Sequence, residues 1–181
     1  TELLGQEGFP HHLGITITRK PDEVLIEEDL QNFLITQYAA QGITVNETKS
    51  IILQLKSLSA TDLYESNKTF LKMLSDGFIL KREDRNQKDI YIQLINYTGL
   101  NKHRQPEADQ LISIAAEPEE VYPADTNIYK FVNQLEIVGS EKRIPDGIVY
   151  INGLPLVVFE FKSAIREEAT IFDAFNQLTV R

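Results

Sequence analysis

The sequence predicts an α/β (α+β) fold: a helical amino-terminal portion, a mixed central sheet of about five strands flanked by helices, and a closing helix. Three observations predict it. Apolar residues recur at helical spacing between residues 27 and 76. Beyond Gly77 the period shortens to that of strands. The segment 143–162 then sets two apolar runs around Asn152-Gly153, the sequence mark of a β-hairpin.

In the first twenty residues Ile15 and Ile17 hint at a short strand. His11 and His12 are adjacent, so they point opposite ways in a strand and about 100° apart in a helix, which is poor spacing for one metal ion. Residues 27–41 read as a helix with Leu30, Phe33, Leu34 and Tyr38 on one side, stopped by Gly42. Glu27, Glu28 and Asp29 fall at its start, where negative charge complements the helix dipole.

Thr44 and Glu47 fit a capping box ahead of Ile51, Ile52, Leu55 and Leu58. The run Ser59-Ala60-Thr61-Asp62 begins a third helix through Tyr64, Phe70, Leu71, Met73 and Leu74, with Gly77 as its stop. Residues 78–82 and 90–95 read as strands joined by a polar turn around Asn86. Lys81, Arg82, Arg85 and Lys88 make a compact basic cluster there, read as a solvated hairpin tip, with a phosphate contact as the sharper reading.

Residues 97–125 form a long polar connection containing Pro106, Pro118 and Pro123, with one short helix near 107–115. Lys102, His103 and Arg104 lie within it. A strand over 127–137 puts Tyr129, Phe131, Asn133, Leu135 and Ile137 on one face. Lys130, Val132, Gln134 and Glu136 fall on the other, so Gln134 and Glu136 border the site if this strand neighbours the hairpin. After the polar link 163–168, residues 169–181 read as a helix with Ile171, Phe172, Phe175 and Leu178 on one stripe and Gln177 beside it.

The length of 181 residues suits one domain, here residues 1–181, divided into a helical portion over 27–76 and a sheet and catalytic core over 78–181. No apolar stretch approaches the ~20 residues of a membrane span, and the start lacks the layout of a signal peptide. With no cysteine there is neither a disulfide framework nor a thiolate metal site, and a cytoplasmic setting is expected. A net charge of −9 argues against strong autonomous binding of nucleic acid, because phosphate affinity comes mostly from Lys and Arg. If DNA is the substrate, other domains or partners supply most of the grip. There is no GxxxxGK[ST] phosphate loop, no GxGxxG and no Ser-His-Asp pattern, so ATP binding belongs elsewhere. The helical pattern is still running at Arg181, which suggests a fragment of something larger.

The chemistry concentrates in the hairpin. Asp146 opens its first run, and Glu160 and Lys162 close its second, alternating with Phe159 and Phe161 and therefore sharing a face. Two carboxylates and a lysine converging there are costly to desolvate unless a cation or polar group sits between them. A divalent metal and a phosphate fit that gap, carboxylate oxygens being ligands that hard Mg²⁺ takes. Lys162 can orient or deprotonate water, or stabilise charge on the phosphate. Spacing sets one condition. A strict two-residue loop pairs Ile151 with Leu154 and, counting back, Asp146 with Phe159, on the wrong side of the sheet. Catalysis therefore requires a bulge or an odd-length loop, such as a type I turn with Gly153 as a G1 bulge.

Pro145-Asp146 followed by Glu160-x-Lys162 resembles the signature of the PD-(D/E)xK nuclease superfamily. The likeness extends to N-I-Y-K-F-V-N-Q at 127–134, R-I-P-D at 143–146, N-G-L-P-L-V-V-F-E-F-K at 152–162, D-A-F-N-Q-L at 173–178, L-S-D-G-F-I-L at 74–80 and L-I-N-Y at 94–97. Together these resemble the amino-terminal nuclease domain of the R (motor) subunit of type I restriction enzymes, which implies a restriction-endonuclease-like fold. The resemblance implies Mg²⁺ held by Asp146, Glu160 and the carbonyl of Phe161, with Lys162 activating water. Gln177 matches the glutamine of a glutamine-and-tyrosine motif; Arg181 stands four residues on, so either the tyrosine lies beyond residue 181 or this chain departs from the pattern there. It further implies double-stranded DNA as substrate, methyltransferase and specificity subunits as partners, and an ATP-driven helicase motor beyond residue 181. Two other readings are a non-catalytic docking or DNA-guiding module of nuclease fold, and a DNA repair nuclease of the same superfamily.

Overall fold

The structure, a computed structural model, describes residues 2–58, 61–98, 125–139 and 141–161. The chain divides into two compact units, Thr1–Leu30 with Ile128–Arg181, and Gln31–Asn127. The fold is mixed α/β, with a four-stranded mixed sheet and helices.

In the first unit, α1 (Glu2–Gln6) leads into β1 (His11–Leu13). The strand lies a few residues before Ile15 and Ile17, where the sequence hinted at it; Ile15 stands exposed in a 3-10 turn. Helix α2 (Glu27–Gln37) begins in this unit with its three acidic residues in the first turn, and its remainder belongs to the second.

The second unit contains α3 (Val45–Lys56) and α4 (Leu63–Asp76). Both start as the sequence predicts. Thr44 and Glu47 form the capping box, with bonds of 2.9 and 3.2 Å, and Asp62 caps α4 by accepting the Glu65 N–H at 3.1 Å. Gly77, at φ 67°, ends α4 where a Cβ would come within 2.5 Å of the Ile92 carbonyl oxygen. The next strands, β2 (Phe78–Leu80) and β3 (Ile90–Ile92), pair with each other as an antiparallel ribbon.

Arg82, just past β2, is not a solvated tip residue. Its Nε donates to Glu47 at 2.7 Å, and its other nitrogens donate to the carbonyls of Gln41 and Gly42 at 2.9 and 2.8 Å. Both side chains of the pair are buried. Burial pushes the Glu47 carboxyl up, but hydrogen bonds from the Thr44 N–H, the Arg82 guanidinium and the Glu83 N–H outweigh it and hold the group below its ordinary range.

In the first unit's remaining segment, β4 (Tyr129–Asn133) is followed by β5 (Ile137–Val138), β6 (Lys142–Arg143), β7 (Gly147–Ile151) and β8 (Leu154–Phe159). The sheet order is β1-β4-β7-β8, parallel between β1 and β4 and antiparallel elsewhere; β5 and β6 pair separately. This replaces the expected single sheet of about five strands. The run 127–137 is not one strand, because Gln134 takes a φ of 52° and breaks the ladder. The break also resets the alternation. Leu135 and Ile137, expected on the face of Phe131, instead join the core of Ile26, Val132, Ile148 and Tyr150.

That core fixes the hairpin. Tyr150 is fully buried and its hydroxyl donates to the Val24 carbonyl at 2.9 Å; burial pushes its phenol up to about 12, against a lowering by the Arg19 charge. Asn152 and Gly153 take φ of 53° and 74°. Asn152 is buried, its N–H donating to the Ile128 carbonyl and its Oδ1 accepting the Ile128 N–H, both at 2.7 Å. Gly153 accepts the Ile26 N–H at 3.0 Å, and a Cβ there would overlap the Ile26 carbonyl oxygen. The predicted helices near 107–115 and over 169–181 lie outside the described residues.

Two outcomes follow for stability. Gly153→Ala combines a left-handed φ with a backbone clash and should cost at least about 2 kcal/mol in urea denaturation. Because the Glu47 carboxyl is depressed in the folded state, its contribution is present above the usual glutamate range and lost as pH falls through the folded value. Arg82→Ala should cost about 3 to 5 kcal/mol at neutral pH, with a deficit that shrinks on acidification.

Candidate active site

The hairpin loop contains two residues, since Ile151 pairs with Leu154. With a regular ladder this is the arrangement that would set Asp146 against Phe159. The ladder is not regular. Tyr150 pairs with Pro155, whereas Val149 pairs with Val157, so Leu156 is the extra residue of a β-bulge. Ile148 then pairs with Val158 and Gly147 with Phe159. One position further out, the register sets Asp146 opposite Glu160. The bulge that the chemistry requires is present, in β8 rather than at the turn.

A second contact ties the two strand ends together. The Phe161 N–H donates to a carboxylate oxygen of Asp146 at 2.6 Å. A side-chain acceptor therefore continues the ladder past its last main-chain pair. On the reverse face, Phe131 meets Phe159 edge-on at 6.0 Å and Phe159 stacks with Phe161 at 5.9 Å. Gly147 lets the Phe131 ring lie against β7, for a Cβ there would come within 2.5 Å of that ring. Asp146 is exposed and Glu160 half-buried, so both carboxylates sit at an accessible sheet edge.

The chain matches, over residues 2–181, the family described as the type I restriction enzyme R protein N terminus. It belongs to that family. The type I restriction enzyme HindI endonuclease subunit of Haemophilus influenzae is 33% identical over 146 residues, 79% of this chain and 11% of that protein. The putative type I restriction enzyme MjaIXP endonuclease subunit of Methanocaldococcus jannaschii is 31% identical over 120 residues, 64% of this chain and 9% of that protein. A second subunit from that organism, the putative MjaVIIIP endonuclease subunit, is 33% identical over 54 residues, 30% of this chain and 5% of its own length. The chain thus spans about a tenth or less of these relatives. No solved structure matches it.

For this R-protein amino terminus, the structure brings together Asp146, Glu160 and Phe161; Lys162 and Gln177 lie outside the described residues, as do Lys102, His103 and Arg104. His11 and His12 pair with Phe131 and Val132 along β1, which sends them to opposite faces. Among the described residues no three His, Asp or Glu side chains gather as a metal cluster. Asp29, besides opening α2, forms an ion pair of 2.7 Å with Lys130. Glu136 pairs with Lys142 at 2.6 Å.

Arg19 had no role in the sequence reading. Its guanidinium donates to the carbonyls of Lys20, Pro21 and Glu23 at 2.8, 3.1 and 2.6 Å, and also to that of Glu136. Carbonyl partners belong to every residue type, so no sequence signal marks such a clamp. It lines a cavity of about 500 Å³ with Gly14, Ile17, Gln134, Glu136 and Ile144. Ile144 is two residues from Asp146 along the chain.

Proposed function

We propose that residues 1–181 act as one nuclease module of a type I restriction R subunit and hydrolyse DNA phosphodiester bonds with Mg²⁺. The observation that carries this reading is the bulge at Leu156, through which Asp146 falls opposite Glu160 rather than Phe159. Like charges set directly across a strand pair repel, so the arrangement gains from a cation between them. The donors fit one. Asp146, Glu160 and the Phe161 carbonyl offer only oxygen, the chemistry of a hard ion that keeps waters and shares a substrate phosphate.

When bound, the metal would supply Lewis-acid polarisation of the phosphate and a more acidic water. The Phe161 N–H orients the Asp146 carboxylate, leaving its second oxygen for ligation. Lys162, two residues after Glu160, activates the attacking water or stabilises charge developing on the phosphate. Gln177 adds a polar group to the same site. In the complete enzyme, an ATP-driven helicase motor elsewhere in the subunit moves double-stranded DNA, and methyltransferase and specificity subunits select it. The setting is cytoplasmic. Among the described residues no helix is long and apolar enough to cross a membrane.

In the assembled enzyme, Asp146→Ala and Lys162→Ala should each lower DNA cleavage about a hundred- to a thousandfold, with ATP hydrolysis intact. Cleavage at the wild-type rate by either variant would contradict the assignment and favour a non-catalytic docking module.

A further inference from the structure

Gln134 ends β4 in a conformation that few residues other than glycine adopt. Strained backbone of this kind persists where the surrounding structure holds it, and it clusters at sites of function. Here the holding group is visible. Gly14 lies so close that a Cβ would come within 2.5 Å of the Gln134 carbonyl oxygen and of the Leu135 Cα. The neighbouring chain permits Gln134 this position only because residue 14 has no side chain.

The position is beside the candidate active site. Val132 pairs with Ile148, two residues from Asp146, and Gln134 follows two residues after Val132, where the ladder ends. Gln134 and Ile144 line the same cavity of about 500 Å³, whose apolar wall comes from Ile15, Ile17, Pro21 and Ile144. Arg19, the cation in that lining, is engaged on four carbonyls. Gln134 itself is exposed. An amide N–H can hold a phosphate oxygen there without placing a second positive charge beside the carboxylates that a metal needs.

We propose that Gln134 is a DNA-contacting residue, its side-chain amide donating to a phosphate oxygen of the nucleotide next to the scissile bond, with that nucleotide's sugar over the Ile17, Pro21 and Ile144 wall. This rests on the nuclease reading. Its benefit is positional, since a phosphodiester held on one side brings the neighbouring phosphate to the metal site in a fixed orientation.

The test uses the assembled restriction enzyme with plasmid DNA. Gln134→Gly removes the amide while suiting the left-handed φ better than glutamine does, so a purely structural role leaves cleavage unchanged. The proposal expects the melting temperature and ATP hydrolysis to hold or rise while cleavage falls at least tenfold. It expects Gln134→Glu, nearly isosteric but repelling phosphate, to fall further, and Gln134→Asn to recover part of the loss. Wild-type cleavage by Gln134→Gly or Gln134→Glu overturns the proposal, as does a loss of cleavage matched by a loss of melting temperature. Asp146→Ala, run alongside, separates the two claims: if it is inactive while Gln134→Gly is active, only the Gln134 contact falls; if it is active, the nuclease reading falls.

Discussion

One shift of register between β7 and β8 decides which side chain faces Asp146, and the arrangement at this sheet edge depends on it. Both ends of the hairpin are held. At the turn, Asn152 and Gly153 are locked to the backbone of Ile128 and Ile26. At the open end, Asp146 accepts the Phe161 N–H. The segment from Leu154 to Phe161 is one residue too long for a regular ladder between those points, so one residue has to bulge. It does so on β8, the edge strand, where Pro155 supplies no N–H and an irregular residue costs least.

Charge is placed in two settings. Inside the scaffold it is paired: Asp29 with Lys130 in the sheet unit, Glu47 with Arg82 in the helical unit. At the open end of the hairpin two carboxylates stand across from each other in a chain of net charge −9. Such an arrangement works against folding, and a sequence that breaks a local rule at one place commonly does so for function. The aromatic contacts of Phe131, Phe159 and Phe161 on the reverse face hold the strand ends against that repulsion.

Local signals were legible in the sequence and long-range ones were not. The capping box at Thr44, the helix start in the run ending at Asp62, the stop at Gly77 and the Asn-Gly turn are each decided within a few residues, and each appears where expected. Arg82 and Asp29 find their partners 35 and 101 residues away, which no local window reveals. The need for a bulge or an odd-length loop followed from counting, but the bulge's place at Leu156 depends on the edge position of β8. The alternation from Tyr129 onward held as far as Asn133; the φ of Gln134 then reversed it, because Gly14, in the 3-10 turn after β1, makes room for that conformation.

The register can be read without any activity. The chain has no cysteine, so a pair introduced in place of Asp146 and Glu160 has no competitor, and residues directly across a strand pair are close enough to cross-link. Under mild oxidation the double variant Asp146→Cys, Glu160→Cys should form an intramolecular disulfide, while Asp146→Cys, Phe159→Cys should remain reduced. Cross-linking of the second pair and not the first would show a regular ladder and contradict the account.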